Sequence, residues 1–381
     1  MELRLSMYGR ICHWGPIVAI AIIKLISWTT LHCSTLWLPF STSIAGVING
    51  VFFFTFAFST VYNYLCAITV GPGVVPLDWR PEKKENEQCL QFCAICNGFK
   101  APRSHHCRKC GRCVMKMDHH CPWLNNCVGH FNHGYFIMFL LCAVCGCVQA
   151  TILLLTTVYK FFNSGLYYMH GLAPPVRLTT TSLILCIFSS GMAIGVFIAL
   201  SFLLYTQMKS VLRNRTGIED WILEKAEERR NEDPTLAPFI YPYNLGWYEN
   251  LKQVFFKGCL PKGDGISWDV RKDCSEYDLT IEQLKQKELK KLRKKPFKTV
   301  APYNGAICPW KNGICACFRF PWSLDSRMAL NPDDMVLVTR YHKFWLFGEK
   351  VSSSPIKAKG WFPRSAVVPV TEYQKYSKKT S

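Results

Sequence analysis

Between Cys93 and Cys127 the chain gathers seven cysteines and four histidines. The run is Cys93-Ala-Ile-Cys96, Arg103-Ser-His105-His106-Cys107-Arg-Lys-Cys110-Gly-Arg-Cys113, Asp118-His119-His120-Cys121-Pro-Trp123 and Asn126-Cys127. Two-residue gaps between cysteines let neighbouring thiolates reach one tetrahedral zinc ion, and a neutral imidazole completes such a site. The set is too large for one ion, and two four-coordinate ions leave three residues over. A closed structural site consumes its cysteines, so a spare cysteine directly after Asp-His-His has the form of a nucleophile beside a base and its orienter. Thiolate is the reactive form, and nearby zinc, imidazolium and basic side chains favour it. Histidine accepts a thiol proton near neutral pH, and a carboxylate fixes its tautomer. An inert Cys121, or one that is a third-site ligand, is the alternative.

The stretch from Cys93 to Phe136 resembles the cysteine-rich domain of the DHHC protein S-acyltransferases. Pro102, Arg103, Trp123, Asn126, Gly129, Asn132 and Phe136 stand at the family's motif positions. The resemblance implies two structural zinc ions, one on Cys93, Cys96, His106 and Cys113, the other on Cys107, Cys110, His120 and Cys127. It implies Cys121 as nucleophile, His119 as general base and Asp118 as its orienting carboxylate, and leaves the role of His105 open. The implied reaction has two steps. Acyl-CoA, palmitoyl-CoA in particular, acylates Cys121, and the chain then passes to a membrane-proximal cysteine of a client protein.

What must position these residues is a membrane bundle. Hydrophobic residues make up 49% of the 381 positions and aromatics 14%. Four apolar runs, Trp14 to Leu31, Ser43 to Val70, Tyr135 to Tyr159 and Thr181 to Tyr205, are each near or above the ~20 residues needed to cross hydrocarbon. Soluble core helices are shorter and carry a polar face. Lys24 interrupts the first run, and is expected to snorkel or to face the bundle interior. Arg4 and Arg10 lead into that run with no small-residue cleavage site, so it is expected to stay attached.

Basic residues orient the bundle. The segment between the second and third runs holds Arg80, Lys83, Lys84, Lys100, Arg103, Arg108, Lys109, Arg112 and Lys116, whereas Cys33 to Thr42 holds none. The positive-inside rule puts that segment and both termini in the cytosol, and Asn214-Arg-Thr216 is then a silent glycosylation sequon. Most of the net charge of +19 lies on that side, near anionic headgroups. A reducing compartment argues against a disulfide framework for the cysteine cluster. Nucleic-acid binding is excluded because the basic segment faces lipid and lacks a recognition helix. A non-enzymatic zinc scaffold would leave the Asp118, His119 and Cys121 trio idle.

Beyond the fourth run, Thr216-Gly-Ile-Glu219 matches the family's Thr-Thr-x-Glu motif at its first and last positions, with Gly217 for the second threonine. Tyr241-Pro242-Tyr243-Asn-Leu-Gly246 resembles its aromatic Asn-Pro-Tyr-x-x-Gly element, with Tyr241 for asparagine. From Thr280 to Lys298 a basic helix is expected, read as a solvated linker with a membrane-surface helix as the alternative. Met335-Val-Leu-Val338, Trp345-Leu-Phe-Gly348, Gly360-Trp-Phe-Pro363 and Val367-Val368 resemble an SH3 domain, which implies a proline-rich ligand protein. Cys315 and Cys317 are expected in an early strand of that domain, either as exposed sites of regulatory S-acylation or as buried structural thiols. The chain ends Lys378-Lys379-Thr380-Ser381, which resembles a dilysine retrieval signal and places the protein in the endoplasmic-reticulum membrane.

The reading is an α-helical membrane protein with four transmembrane helices, a cytosolic zinc-binding cysteine-rich domain and a C-terminal small β-barrel. Residues 1–70 hold the N-terminal tail and the first two helices, 71–134 the zinc domain, and 135–207 the last two helices with a lumenal loop. Residues 208–305 form the cytosolic basic tail with its helical linker, 306–372 the SH3-like domain and 373–381 the terminal signal.

Overall fold

A chain surrounded by hydrocarbon must satisfy each backbone N–H and C=O within its own segment, which dictates helix for the apolar runs. In the computed structural model these helices span Trp14–Thr35, Ile44–Thr69, His133–Phe162 and Thr180–Leu212. At ~1.5 Å per residue all are long enough to cross the ~30 Å hydrocarbon layer. The structure describes residues 7–171, 176–319, 321, 323, 325–351, 358–371 and 373. The third helix is the hub and packs against the other three. Polar pairs tie the bundle: Ser189 Oγ lies 3.1 Å from Thr29 Oγ1, Trp37 Nε1 donates to Thr157 Oγ1 at 2.9 Å, and Gln149 Nε2 donates to Asn49 Oδ1 at 2.9 Å. The fourth helix outruns its apolar run by two turns, to Leu212, and so carries Gln207 into the region after the hydrocarbon pattern ends.

Lys24 does not face the bundle interior. It is exposed on the outer side of the first helix, although a lysine at mid-span costs about 3 kcal/mol on insertion scales.

The cysteine-rich segment has little regular structure: three two-stranded antiparallel hairpins. These are β1 (Phe92–Cys93) with β2 (Gly98–Phe99), β3 (His105–Cys107) with β4 (Arg112–Val114), and β5 (His119–Cys121) with β6 (Asn126–Val128). Their buried clusters are built largely from the cysteines themselves. The hairpins are tied to the helix ends. Asn126 Nδ2 donates to Ile68 O at 3.1 Å, Asn132 Nδ2 to Ala67 O at 2.9 Å, and Tyr64 OH to Trp123 O at 2.7 Å. After the fourth helix, Thr216 opens the helix Gly217–Glu232 with a capping box: its hydroxyl accepts from Glu219 N, and Glu219 accepts from Thr216 N.

A second compact unit runs from Lys285. It holds a five-stranded antiparallel sheet in the order β10-β9-β8-β7-β11, where β7 is Lys295–Thr299, β8 Met335–His342, β9 Trp345–Lys350, β10 Lys359–Pro363 and β11 Val367–Pro369. Two expectations need correcting. The basic helix ends at Leu292, and Lys295–Thr299 is a strand, so the sheet begins inside the residues assigned to the linker. Pro296 cannot continue a helix, and Phe297 and Thr299 bury on one face. Cys315 and Cys317 are not in a strand: Ile314–Phe318 is a short helical turn that starts after Gly313, at φ 114°. Cys315 is exposed, but Cys317 is buried, so the two do not share an outer face. Trp361 is also buried, and its Nε1 donates to Ser323 Oγ at 2.7 Å. Lys378 and Lys379 lie outside the described residues.

Trp345 is fully buried in the cluster under the sheet, with Nε1 donating to Ala316 O at 3.1 Å. Trp345→Ala is expected to cost this unit about 3–5 kcal/mol. Limited trypsin digestion of the full chain in detergent should then cut within 295–369 far sooner, and an unchanged cleavage rate would contradict this core.

Candidate active site

Two groups of four side chains converge in the hairpins. The ligand atoms of Cys93, Cys96, His106 and Cys113, and those of Cys107, Cys110, His120 and Cys127, lie within 4.8 Å of one another in each group. His106 Nδ1 stands 3.4, 3.5 and 3.8 Å from the sulfurs of Cys93, Cys96 and Cys113. His120 Nδ1 stands 3.6, 3.5 and 3.6 Å from those of Cys107, Cys110 and Cys127. A tetrahedral zinc with bonds of ~2.0–2.3 Å sets such ligand atoms roughly 3.5–3.8 Å apart, so three thiolates and one imidazole at these spacings fit structural zinc. His105 joins neither group.

Register explains the sharing of ligands. His106 faces Cys113 across β3 and β4, and His120 faces Cys127 across β5 and β6. The β3–β4 hairpin contributes to both groups, since Cys107 and Cys110 belong to the second. Side chains alternate along a strand, so in β5 the metal-side His120 points one way while His119 and Cys121 point the other.

Asp118 precedes that strand and is almost wholly buried. Its Oδ2 accepts from His119 Nδ1 at 2.8 Å and from Gln207 Nε2 at 3.1 Å, and its Oδ1 accepts from Gly217 N at 2.9 Å. Gly217 opens a helix of 16 residues, whose N-terminal dipole also favours a carboxylate. Burial works against charge on Asp118, but the bond from His119, the nearby His133 and the Gly217 N–H outweigh it, holding the carboxyl well below its usual range. Burial likewise opposes charge on His119. Its hydrogen bonds with Asp118 and with Cys121 prevail and push the imidazole up to about 9. With Nδ1 given to Asp118, Nε2 is the nitrogen left for the thiol proton.

A second layer fixes the helix that carries Gly217. Arg103, fully buried and at φ 63°, clamps Glu219 through Nε at 2.6 Å and Nη2 at 2.8 Å, and reaches Asn214 Oδ1 at 3.0 Å. Its guanidinium carbon lies 4.4 Å from the Tyr243 ring centroid and 4.6 Å from that of Trp268. Tyr241 OH donates to Asn214 O at 2.7 Å and lies 2.8 Å from Glu219 Oε2. The two tail motifs therefore meet at one arginine of the cysteine-rich segment.

Cys121 is among the residues lining a cavity of about 260 Å³ between the four spanning helices. The lining is apolar and, farther along the helices from Cys121, includes Ile26, Phe53, Leu140, Gly146, Ala150 and Val196. Along the third helix it reaches from Phe136 to Ala150, ~21 Å of helix rise.

The trio Asp118, His119 and Cys121 is thus assembled at one place, and both predicted ligand sets are gathered. Gln207, the Gly217 N–H and Gly15 are functional contacts that the sequence pattern does not reveal. Gln207 has a signal, being a polar residue two positions after an apolar span. Gly15 has none: a Cβ there would sit 2.1 Å from Pro122 O, so the first helix packs directly on the residue after Cys121.

Residues 86–224 match the family described as DHHC palmitoyltransferase. The chain is 43% identical over 379 residues to palmitoyltransferase ZDHHC6 of Danio rerio, covering 94% of this chain and 91% of that protein. Its human counterpart, under the same name, is 41% identical over 377 residues with the same coverage. Probable protein S-acyltransferase 16 of Arabidopsis thaliana is 33% identical over 56% of this chain and 74% of its own.

Gly15→Ala should push the Cys121–Trp123 turn away from the first helix without touching a metal ligand. Maleimide labelling of the Cys121 peptide, read by mass spectrometry, should rise several-fold with zinc content unchanged. Gly165→Ala, which meets open space, is the control. Identical Cys121 labelling in both variants would contradict the packing.

Proposed function

The chain belongs to the DHHC palmitoyltransferase family, and we propose that Cys121 is its acyl-carrying nucleophile, with His119 as general base and Asp118 orienting that base. Its activity is protein S-palmitoylation. The observation that carries the role assignment is one thiol placed both beside a carboxylate-held imidazole and in the lining of an apolar cavity.

In the proposed first step the Cys121 thiol gives its proton to His119 Nε2, and the sulfur attacks the carbonyl of acyl-CoA. The C–S bond to coenzyme A breaks, and the coenzyme A thiolate leaves with the proton from His119. In the second step a client cysteine gives its proton to His119 and attacks the acyl–Cys121 thioester, and Cys121 recovers its proton from the imidazole. Asp118 stays ionised throughout and stabilises the imidazolium. Zinc, where bound, holds the hairpins and takes no part in the chemistry. A buried methylene contributes ~0.8 kcal/mol, so a long chain gains on the order of 10 kcal/mol by leaving water for the cavity. Thioester exchange itself is nearly isoenergetic, which leaves placement and proton transfer as the enzyme's tasks.

Further parts of the reading rest on sequence pattern. The basic segment between the second and third helices supports a cytosolic active site, and the paired Lys378 and Lys379 support residence in the endoplasmic reticulum. The five-stranded sheet supports an SH3-like unit. A proline-rich ligand would have to displace the segment at Ser323 to reach Trp361.

Three variants test the roles. Cys121→Ser should abolish the acyl-enzyme with zinc near two ions per chain, as no ligand is touched. His119→Ala should keep zinc and slow acyl-enzyme formation by roughly 10²–10⁴-fold. His120→Ala should lose metal. Zinc loss in Cys121→Ser, with His120→Ala intact, would shift the ligand register and overturn the assignment.

The cavity makes a separate prediction. Ala143 lines it part way along the third helix, and Ala143→Phe should fill the space beyond. Transfer of long acyl chains should fall while that of short ones survives, as measured by acyl-enzyme mass after competition between donors. An unchanged preference would place the acyl chain elsewhere.

A further inference from the structure

The four spanning helices contain no aspartate or glutamate, and Lys24 is the single formal charge in the middle of any of them. Lys24 lies ten residues after Trp14 and eleven before Thr35, ~15 Å of helix from either end. That is about half the ~30 Å hydrocarbon layer, farther than a lysine stem reaches. Among the described residues no carboxylate forms an ion pair with it, and the bundle has none to offer.

Its surroundings form a face. Ile22, Ile23 and Ile26 line the cavity, whereas Ile17, Ala21, Lys24 and Trp28 recur at helical spacing and are all exposed. Trp28 is 68% exposed, a broad ring one turn from the ammonium. Ala21, one turn before it, leaves the backbone open to close approach by a neighbouring helix.

We propose that this face docks a transmembrane helix of a partner protein that carries an aspartate or glutamate at mid-membrane depth, paired with Lys24. Charge complementarity selects this occupant. A second copy of this chain cannot supply the acid, because none of its spans has one, and an anionic lipid headgroup sits too far from the midplane. A partner seated there is one helix away from the acyl cavity, since the same helix lines both. The inference rests on the membrane placement of the four helices and not on the roles of Asp118, His119 and Cys121.

The test uses the full chain in lipid nanodiscs and labelled single-span host peptides of leucine and alanine, with aspartate or leucine at the centre. Association is read by energy transfer. The centre-aspartate peptide should bind at least ~10-fold more tightly than the centre-leucine peptide. Lys24→Leu should remove the difference and Lys24→Arg should keep it. Autoacylation and zinc content should be unchanged in both variants, which separates lost docking from a lost fold. Equal binding of the two peptides to the unaltered protein, or an aspartate preference that survives Lys24→Leu, would overturn the proposal.

Discussion

Side chains alternate along an extended strand, and three residues of β5 turn that rule into a machine part. His120 points to the Cys107, Cys110 and Cys127 group, so His119 and Cys121 are thrown together to the opposite side. A hairpin this short has no core of its own. Closing the four-ligand group is what fixes the strand's orientation, and the proposed catalytic pair is thereby placed by residues that do no chemistry. The shared β3–β4 hairpin carries the same logic backward to the first group. Neither group can be lost without loosening the other.

Orientation of the strand does not by itself set the imidazole. That depends on Asp118, a buried carboxylate with donors from three parts of the chain: the adjacent His119, Gln207 of the fourth helix and the Gly217 N–H. A buried charge is tolerable only when its oxygens are satisfied, so the carboxylate holds all three elements in register. Arg103 repeats the pattern one layer out, with Glu219, Asn214 and two aromatic faces. A buried ion pair is weak evidence of stability in itself, but removing one partner typically costs about 3–5 kcal/mol. Its value here is positional. Exposed pairs such as Arg215 with Asp220 are worth well under that and decide nothing.

The parts legible in the sequence are those where a local pattern has one physical solution. Apolar runs near or above twenty residues must be helices in hydrocarbon, and Cys-x-x-Cys repeats with histidines must close on metal or scatter. Thr216 and Glu219 were visible as a motif, but their contacts were not, because Arg103 lies more than a hundred residues upstream. Gly217, a departure from the family pattern, contributes a backbone N–H that any residue except proline could supply. The strand Lys295–Thr299 hid behind a lysine-rich helix, since only Phe297 and Thr299 bury in it. Alternation misled at Cys315 and Cys317, where Gly313 starts a helical turn instead. The outward direction of Lys24 could not be read either, because from Ile17 to Ile26 the first helix has no other polar side chain to mark an inner or outer face.

The membrane bundle and the zinc hairpins answer opposite demands at Cys121. A reactive sulfur needs a cation close by and some polarity, whereas an acyl chain needs the absence of both. The structure meets these demands by position: Cys121 is 5% exposed and lies where the hairpin that carries His119 meets the apolar lining of the cavity. Tyr64 OH, bonded to Trp123 O, and Gly15, against Pro122 O, hold that boundary from the membrane side. The imidazole holds it from the other. On the proposed role of Cys121, an acyl group on the sulfur buries its chain without moving the thioester away from His119, which keeps the carbonyl open to an incoming client cysteine. That is why the contacts at Gly15 and Tyr64, which touch no proton and no metal, belong to the same design as the carboxylate.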